Sequence, residues 1–346
     1  MNPLSEEKKA FLTRSNPQGD TSVSQGDMDA LNSDEAIMDM KKEIVAYNKM
    51  LRERRTFVNE ALTEVIPFTR ENLYLLCAYT GSGKSTLAAN IVYPLWQQGK
   101  RSLVLTNEES AVDVYFRLGC LHLDLDFNDY KQNRMLVYDQ ARVTALFNDI
   151  KQYVTCIDVT YKDGLTTKLE GVQNALKTAA TNGHYAVAVV DYFQLIKYSV
   201  NDKSKKTYDV LNDLRIWLGR FIKQSDIPIV MFAQLHSQTK RQGKELDNRI
   251  KECPAILEPA TVVIEIIPNY DKKCSDFMIH KSRFGGELVG KKITLGYRKG
   301  RFIPYTEDFR RENIDDRIHK ILEDKPVKLQ EEVCRVQPSC VPSVDK

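Results

Sequence analysis

No stretch of this 346-residue sequence approaches the roughly 20 consecutive apolar residues that a membrane-spanning helix requires. The N-terminus, "MNPLSEEKKAFLTRSNPQGDTSVSQGD", also has no apolar signal core, so the chain is expected to stay in the cytoplasm without a membrane partner. There is no CxxC pair and no cluster of Cys and His at metal-ligand spacing. The seven cysteines (Cys77, Cys120, Cys156, Cys253, Cys274, Cys334 and Cys340) are scattered and read as reduced thiols, which argues against a disulfide or zinc framework. An excess of one charge is missing too. Formal net charge is only +3, so attraction to nucleic acid has to come from local basic loops.

What is present is a 42% hydrophobic composition, enough for a substantial core. Residues 1–32 are rich in Ser, Asn, Gln, Asp and Gly without hydrophobic period, and are expected to be disordered. Over 33–64, Ile37, Met40, Ile44, Tyr47, Met50 and Leu51 recur at helical spacing after Ser33, a cap candidate, which predicts an amphipathic helix ahead of the main domain. From 65 to 322, short apolar runs ("LYLLCAY", "SLVLTN", "VTCIDV", "AVAVVDYF", "PIVMFAQ", "VVIEII") alternate with helical patterns. This alternation predicts an α/β domain with a mostly parallel sheet buried on both faces by helices. Beyond about residue 275 the pattern changes to strands joined by Gly-containing turns, an edge extension of that sheet. The tail, 323–346, reads as a short helix followed by disorder.

The most specific motif is "YLLCAYTGSGKSTLAANIVYPL". A buried strand runs into Thr80, Gly81, Ser82, Gly83, Lys84, Ser85 and Thr86, and a helix follows. Glycines let successive backbone N–H groups curl around phosphate oxygens, and the helix N-terminus adds partial positive charge. Lys84 is placed to reach the β- and γ-phosphates and Ser85 to occupy a Mg²⁺ position. ATP, or another NTP, with Mg²⁺ is therefore the expected cofactor set. Asp191 ends the apolar run "AVAVVD", where ligands of parallel sheets collect, and is the candidate second metal residue. Glu108 and Glu109 end the strand after the phosphate-loop helix. A carboxylate there can polarise a water in line with the γ-phosphate, which favours hydrolysis over phosphoryl transfer to a small molecule.

The order phosphate loop, "TNEES", "VVDYFQL", "VMFAQLHS" and "HKSRFGG" resembles the RecA-type motor core of the DnaB family of hexameric replicative helicases, found in bacteria and bacteriophages. The resemblance spans about Asn72 to Tyr305. It implies a RecA-like P-loop NTPase fold, with the N-terminal amphipathic helix similar to the linker helix that such helicases pack on an adjacent subunit. Lys84 and Ser85 match the family's lysine and hydroxyl. Glu108 matches the glutamate that activates water, Asp191 the acid that supports Mg²⁺, and Gln234 the glutamine that senses the γ-phosphate. Lys281 and Arg283 match a lysine and an arginine finger that reach the neighbouring subunit's nucleotide, which implies a homo-oligomer, a hexamer in this family.

Two polar segments beyond strand ends are candidate single-stranded DNA contacts: one with Lys203, Lys205 and Lys206, the other with His236, Lys240, Arg241, Lys244, Arg249 and Lys251. Cations on loops can follow phosphates without reading bases. The chain departs from the family at Cys253 and Pro254, where a Ser-Gly pair is usual, and at Leu257, Pro259 and Thr261, often acidic positions. About 70 residues precede the phosphate loop, so the family's N-terminal domain, which helps dock primase and organise the ring, is expected to be missing, as in a phage-type helicase. The expected function is a DNA helicase whose ring translocates on single-stranded DNA and unwinds duplex, with a primase or helicase loader as a further partner. The rival readings are a RecA-like recombination filament and a DNA-independent oligomeric ATPase switch, whose paired glutamates "EES" this chain shares.

Overall fold

The computed structural model describes residues 38, 41–42, 44–45, 57–66, 68–158, 168–181, 185–197, 207–236 and 246–311. The expectations for residues 1–32 and 323–346 lie outside them. The chain divides into two units, residues 1–52 and 53–346. In the first, residues 38, 41, 42, 44 and 45 are helical with exposed side chains. The predicted amphipathic helix does not run unbroken to residue 64. Val58 adopts φ +63°, and Asn59 turns the chain and caps a new helix, α1 (Glu60–Val65), by accepting from the Leu62 N–H. An Asn side chain that claims a first-turn N–H starts a helix; it does not continue one.

The second unit is built on β1 (Leu73–Ala78), α2 (Lys84–Gln97), β2 (Arg101–Thr106), α3 (Ala111–Leu123), α4 (Phe127–Lys131), α5 (Val137–Ala145), α6 (Phe147–Tyr153), β3 (Val154–Ile157), α7 (Leu169–Thr181), β4 (Tyr185–Asp191), α8 (Thr207–Phe221), β5 (Ile229–Gln234), β6 (Val262–Asn269), β7 (Cys274–Ser282), β8 (Lys292–Arg298) and β9 (Arg301–Pro304). One nine-stranded sheet results, in the order β3-β2-β4-β5-β1-β6-β7-β8-β9. Strands β3 to β6 in that order pair in parallel, and β7, β8 and β9 extend the edge antiparallel.

The period of two along β1 divides the interior. Tyr74, Leu76 and Ala78 enter one core with Leu87, Ile91 and Leu95 of α2, while Leu73, Leu75 and Cys77 enter the other with Leu176 of α7 and Leu211, Leu214 and Leu218 of α8. Every β1 side chain is buried, which fixes the strand that feeds the phosphate loop. The five described cysteines are free. Among the described residues no helix is long and apolar enough to cross a membrane.

Candidate nucleotide site and subunit face

The loop after β1 curls because Gly81 and Gly83 hold φ +78° and +80°, a region that L side chains avoid. Helix α2 then starts at Lys84 with no side chain capping it. Its first N–H groups form an uncapped, partially positive end aimed along the loop, the chemistry a phosphate requires. Within the loop, the Tyr79 carbonyl accepts from Ser82 N at 3.2 Å and from Lys84 Nζ at 3.5 Å. The same ammonium lies 5.3 Å from the Tyr192 ring centroid.

Ser85 Oγ donates to Asp191 Oδ2 at 2.7 Å. Asp191 Oδ1 is buried without a hydrogen-bond partner. Burial pushes the Asp191 carboxyl up to about 6, against the lowering effects of the Ser85 bond and the Lys84 charge. An unsatisfied buried carboxylate oxygen beside a hydroxyl fits a hard divalent cation that takes its remaining oxygens from phosphates and water.

The structure gives the two glutamates of "TNEES" different surroundings. Glu108 is exposed at the end of β2, near enough to Asp191 and Tyr192 to push both acids up electrostatically. Glu109 is held at 2.5 Å by Arg117 of α3, whose guanidinium also donates to Thr86 Oγ1 at 3.0 Å and lies 4.0 Å over the Phe127 ring centroid. Sequence reasoning missed Arg117; it follows Glu109 by 8 positions, outside the motif, and only helix α3 brings it back. Gln234, at the end of β5, donates from Nε2 to Thr80 Oγ1 in the phosphate loop. Its backbone is clamped by Gln194, which donates to the Gln234 carbonyl at 3.0 Å and accepts from its N–H at 3.1 Å.

Lys281 and Arg283 lie at the opposite edge of the sheet. Arg283 N donates to Thr261 O, and Thr261 N donates to Leu73 O at the start of β1. The length of β1, about 17 Å at strand rise, therefore separates this edge from the phosphate loop. Their side chains rest on one turn: Lys281 Nζ donates to the Leu257 and Glu258 carbonyls at 2.7 and 3.0 Å, and Arg283 Nη2 to the Glu258 carbonyl at 2.9 Å. Burial and the neighbouring Arg283 charge push the Lys281 ammonium below the ordinary lysine value.

Of the candidate DNA contacts, Lys203, Lys205, Lys206, Lys240, Arg241 and Lys244 lie outside the described residues. Arg249 has partners within its own subunit. Its guanidinium is committed there: Nη1 and Nη2 donate to the two carboxylate oxygens of the buried Glu265 of β6, at 2.5 and 2.6 Å, and Nη1 also donates to the Tyr79 hydroxyl at 3.2 Å. A forked guanidinium matches a carboxylate, and a carboxylate buried in the sheet demands such a partner. Lys251 is half-buried at the return of the same connection, its N–H donating to Gln234 O at 3.1 Å.

Beside the phosphate loop opens a cavity of about 1010 Å³ lined by Gly81, Gly83, Thr86, Tyr270, Tyr297 and Lys299 among others. The Tyr270 hydroxyl donates to Gly81 O at 3.0 Å. No sequence pattern marks Tyr270, because its turn between β6 and β7 meets the loop only through the sheet.

A phosphate loop leaving β1 in a 3-2-4-5-1-6 sheet, with an acid ending β4 beneath the loop's hydroxyl, defines a RecA-like P-loop NTPase core. Residues 60–301 match the family model for the DnaB-like helicase C terminal domain, and the chain belongs to that family of replicative helicases. Among solved structures it is similar to an isolated ATPase domain, at 16% identity with a TM-score of 0.62, covering 80% of this chain and 99% of that one. It is also similar to a DnaB-like replicative helicase described with its interactions with primase, at 16% identity and a TM-score of 0.63, covering 81% of this chain and 70% of that one. No curated protein sequence matches the chain.

Proposed function

We propose that this protein is the motor of a ring-shaped, Mg²⁺-dependent DNA helicase, acting in the cytoplasm on single-stranded DNA. ATP, or another NTP, is its fuel. The phosphate-loop N–H groups and Lys84 bind the phosphates, and the cavity at Tyr270 and Tyr297 receives the nucleoside. Ser85 and Asp191 hold Mg²⁺, which when bound neutralises charge on the β- and γ-phosphates. Glu108, exposed and without a cation clamp among the described residues, accepts a proton from the attacking water; Glu109, clamped by Arg117, is a positioning residue. Gln234 reports the state of the loop through Thr80.

The observation that carries the oligomeric part is the separation of Lys281 and Arg283 from their own phosphate loop by the length of β1. Two cations at one edge and the nucleotide at the other suit a head-to-tail interface, in which each subunit completes its neighbour's site; such an interface closes into a ring or runs on as a filament, and the proposed form is the family's hexameric ring. Lys203, Lys205, Lys206, Lys240, Arg241, Lys244 and Lys251 are proposed to follow DNA phosphates in the ring's channel. A primase or helicase loader is the proposed protein partner.

The test is steady-state ATP hydrolysis with and without single-stranded DNA, for wild type and Arg283→Ala, where light scattering confirms oligomers. DNA stimulation that disappears in the variant is the expected result. A rate indifferent to DNA in the wild type overturns the translocase reading.

A further inference from the structure

The connection between β5 and β6 leaves the sheet at Gln234 and returns at Lys251, and its two ends are pinned together. His236 N donates to Arg249 O at 2.7 Å and Lys251 N to Gln234 O at 3.1 Å. The departing end is already tied to the phosphate loop by Gln234 and Thr80. The returning end has a separate tie. Arg249 spans from the Glu265 carboxylate, whose side chain is 4% exposed, to the hydroxyl of Tyr79. Glu265 also meets His280 Nε2 of β7 at 2.9 Å, so the anchor is shared by two strands of the sheet.

Tyr79 is the critical member, because it touches both parties. Its hydroxyl accepts from Arg249, and its carbonyl accepts from Lys84 and Ser82. When phosphate enters the loop, the Lys84 ammonium must leave that carbonyl for the phosphate oxygens, which are stronger partners for a cation. The Tyr79 peptide then loses a cationic donor, and Tyr79 is the residue that contacts both the loop lysine and Arg249.

We propose that Arg249 is a positioning residue that couples nucleotide at the phosphate loop to the returning end of the β5–β6 connection, through Tyr79 and the Glu265 anchor, and is not a DNA ligand. The inference takes from the proposed function only that a nucleotide occupies the phosphate loop. The ion pair itself serves as the fixed point: burial acts to raise the Glu265 carboxyl, yet the bonds from His280 and Arg249 hold it below its ordinary value, and Glu265 in turn raises Arg249.

The test is amide hydrogen exchange across residues 246–252, with and without Mg²⁺ and a non-hydrolysable ATP analogue, in wild type and Tyr79→Phe. Phenylalanine removes only the hydroxyl. In the wild type the analogue is expected to change exchange in this segment by about tenfold, the size of a hydrogen bond to a charged group. In Tyr79→Phe that response is lost while the analogue still binds, as read by fluorescence titration. A response that persists undiminished in Tyr79→Phe, or no response in the wild type, overturns the proposal. Arg249→Gln combined with Glu265→Gln, which leaves no unpaired buried charge, supplies a second reading. The salt slope of single-stranded DNA binding is expected to be unchanged; a fall of about 0.7, one phosphate contact, overturns it. Failure of the helicase reading shows separately, as wild-type hydrolysis indifferent to DNA, and leaves the exchange result standing.

Discussion

Ser85 Oγ and Asp191 Oδ2, 106 positions apart in sequence, stand 2.7 Å apart in the fold. The second carboxylate oxygen of Asp191 is buried without a partner. In the proposed metal site a proton and Mg²⁺ would compete for this one side chain. Because burial raises the Asp191 pKa to about 6, Mg²⁺ binding is expected to weaken about tenfold per pH unit below that value and to level off above it. Without metal the sign of the stability effect is the reverse of an ion-paired acid: an acid raised in the folded state favours folding at low pH, and that contribution is lost as pH rises through about 6. Mg²⁺ titrations and denaturant melts between pH 5 and 8 check both statements.

The two glutamates of "TNEES" are expected to fail differently. Glu108→Gln should lower kcat by about 10²- to 10⁴-fold with nucleotide binding retained, since only the proton acceptor is removed. Glu109→Gln should instead lower stability by about 3 kcal/mol, because Arg117 is left without its partner in a largely buried position. Hydrolysis assays beside urea unfolding separate the two. Equal loss of kcat with unchanged stability in Glu109→Gln would mean that Glu109 acts in the chemistry.

Mixing inactive subunits tests the distance between Arg283 and its own phosphate loop. Lys84→Ala and Arg283→Ala are each expected to be inactive as pure oligomers. Co-assembled, some interfaces pair an intact phosphate loop with an intact finger, so partial hydrolysis returns. If mixtures remain as inactive as the parents while mass spectrometry shows mixed oligomers, the finger does not act between subunits.

The Glu265 anchor predicts an acid-side loss of stability. Its carboxyl is held below the ordinary value of 4.5 by His280 and Arg249, so its contribution is present above that pH and fades as pH falls through the folded-state value. Glu265→Gln should flatten this part of the stability profile. An unchanged acid limb in the variant would assign the loss to other carboxylates.

Much of the site was legible because its signals are local. Gly81 and Gly83 report their own backbone geometry, and the alternation of Leu73 to Ala78 reports a strand buried on both faces. Asp191 and Gln234 were readable because each closes an apolar run, and strand ends of a parallel sheet are where ligands gather. The positive φ of Val58, just ahead of the separately capped α1, was not readable, because helical periodicity does not register a single residue with positive φ. The pairing of Arg249 was unreadable for a different reason: Glu265, 16 positions later in an apolar strand, carries no mark of its partner.

The sequence by itself determined the glycine-rich loop and the strand that feeds it, since these depend on backbone conformation and on side chains adjacent in the chain. Tertiary structure decided which of Glu108 and Glu109 stays uncommitted, where Arg249 spends its charge, and at which edge of the sheet Lys281 and Arg283 stand. Those outcomes follow from competition among charged groups for few buried partners, and only the folded chain brings the competitors within hydrogen-bond range.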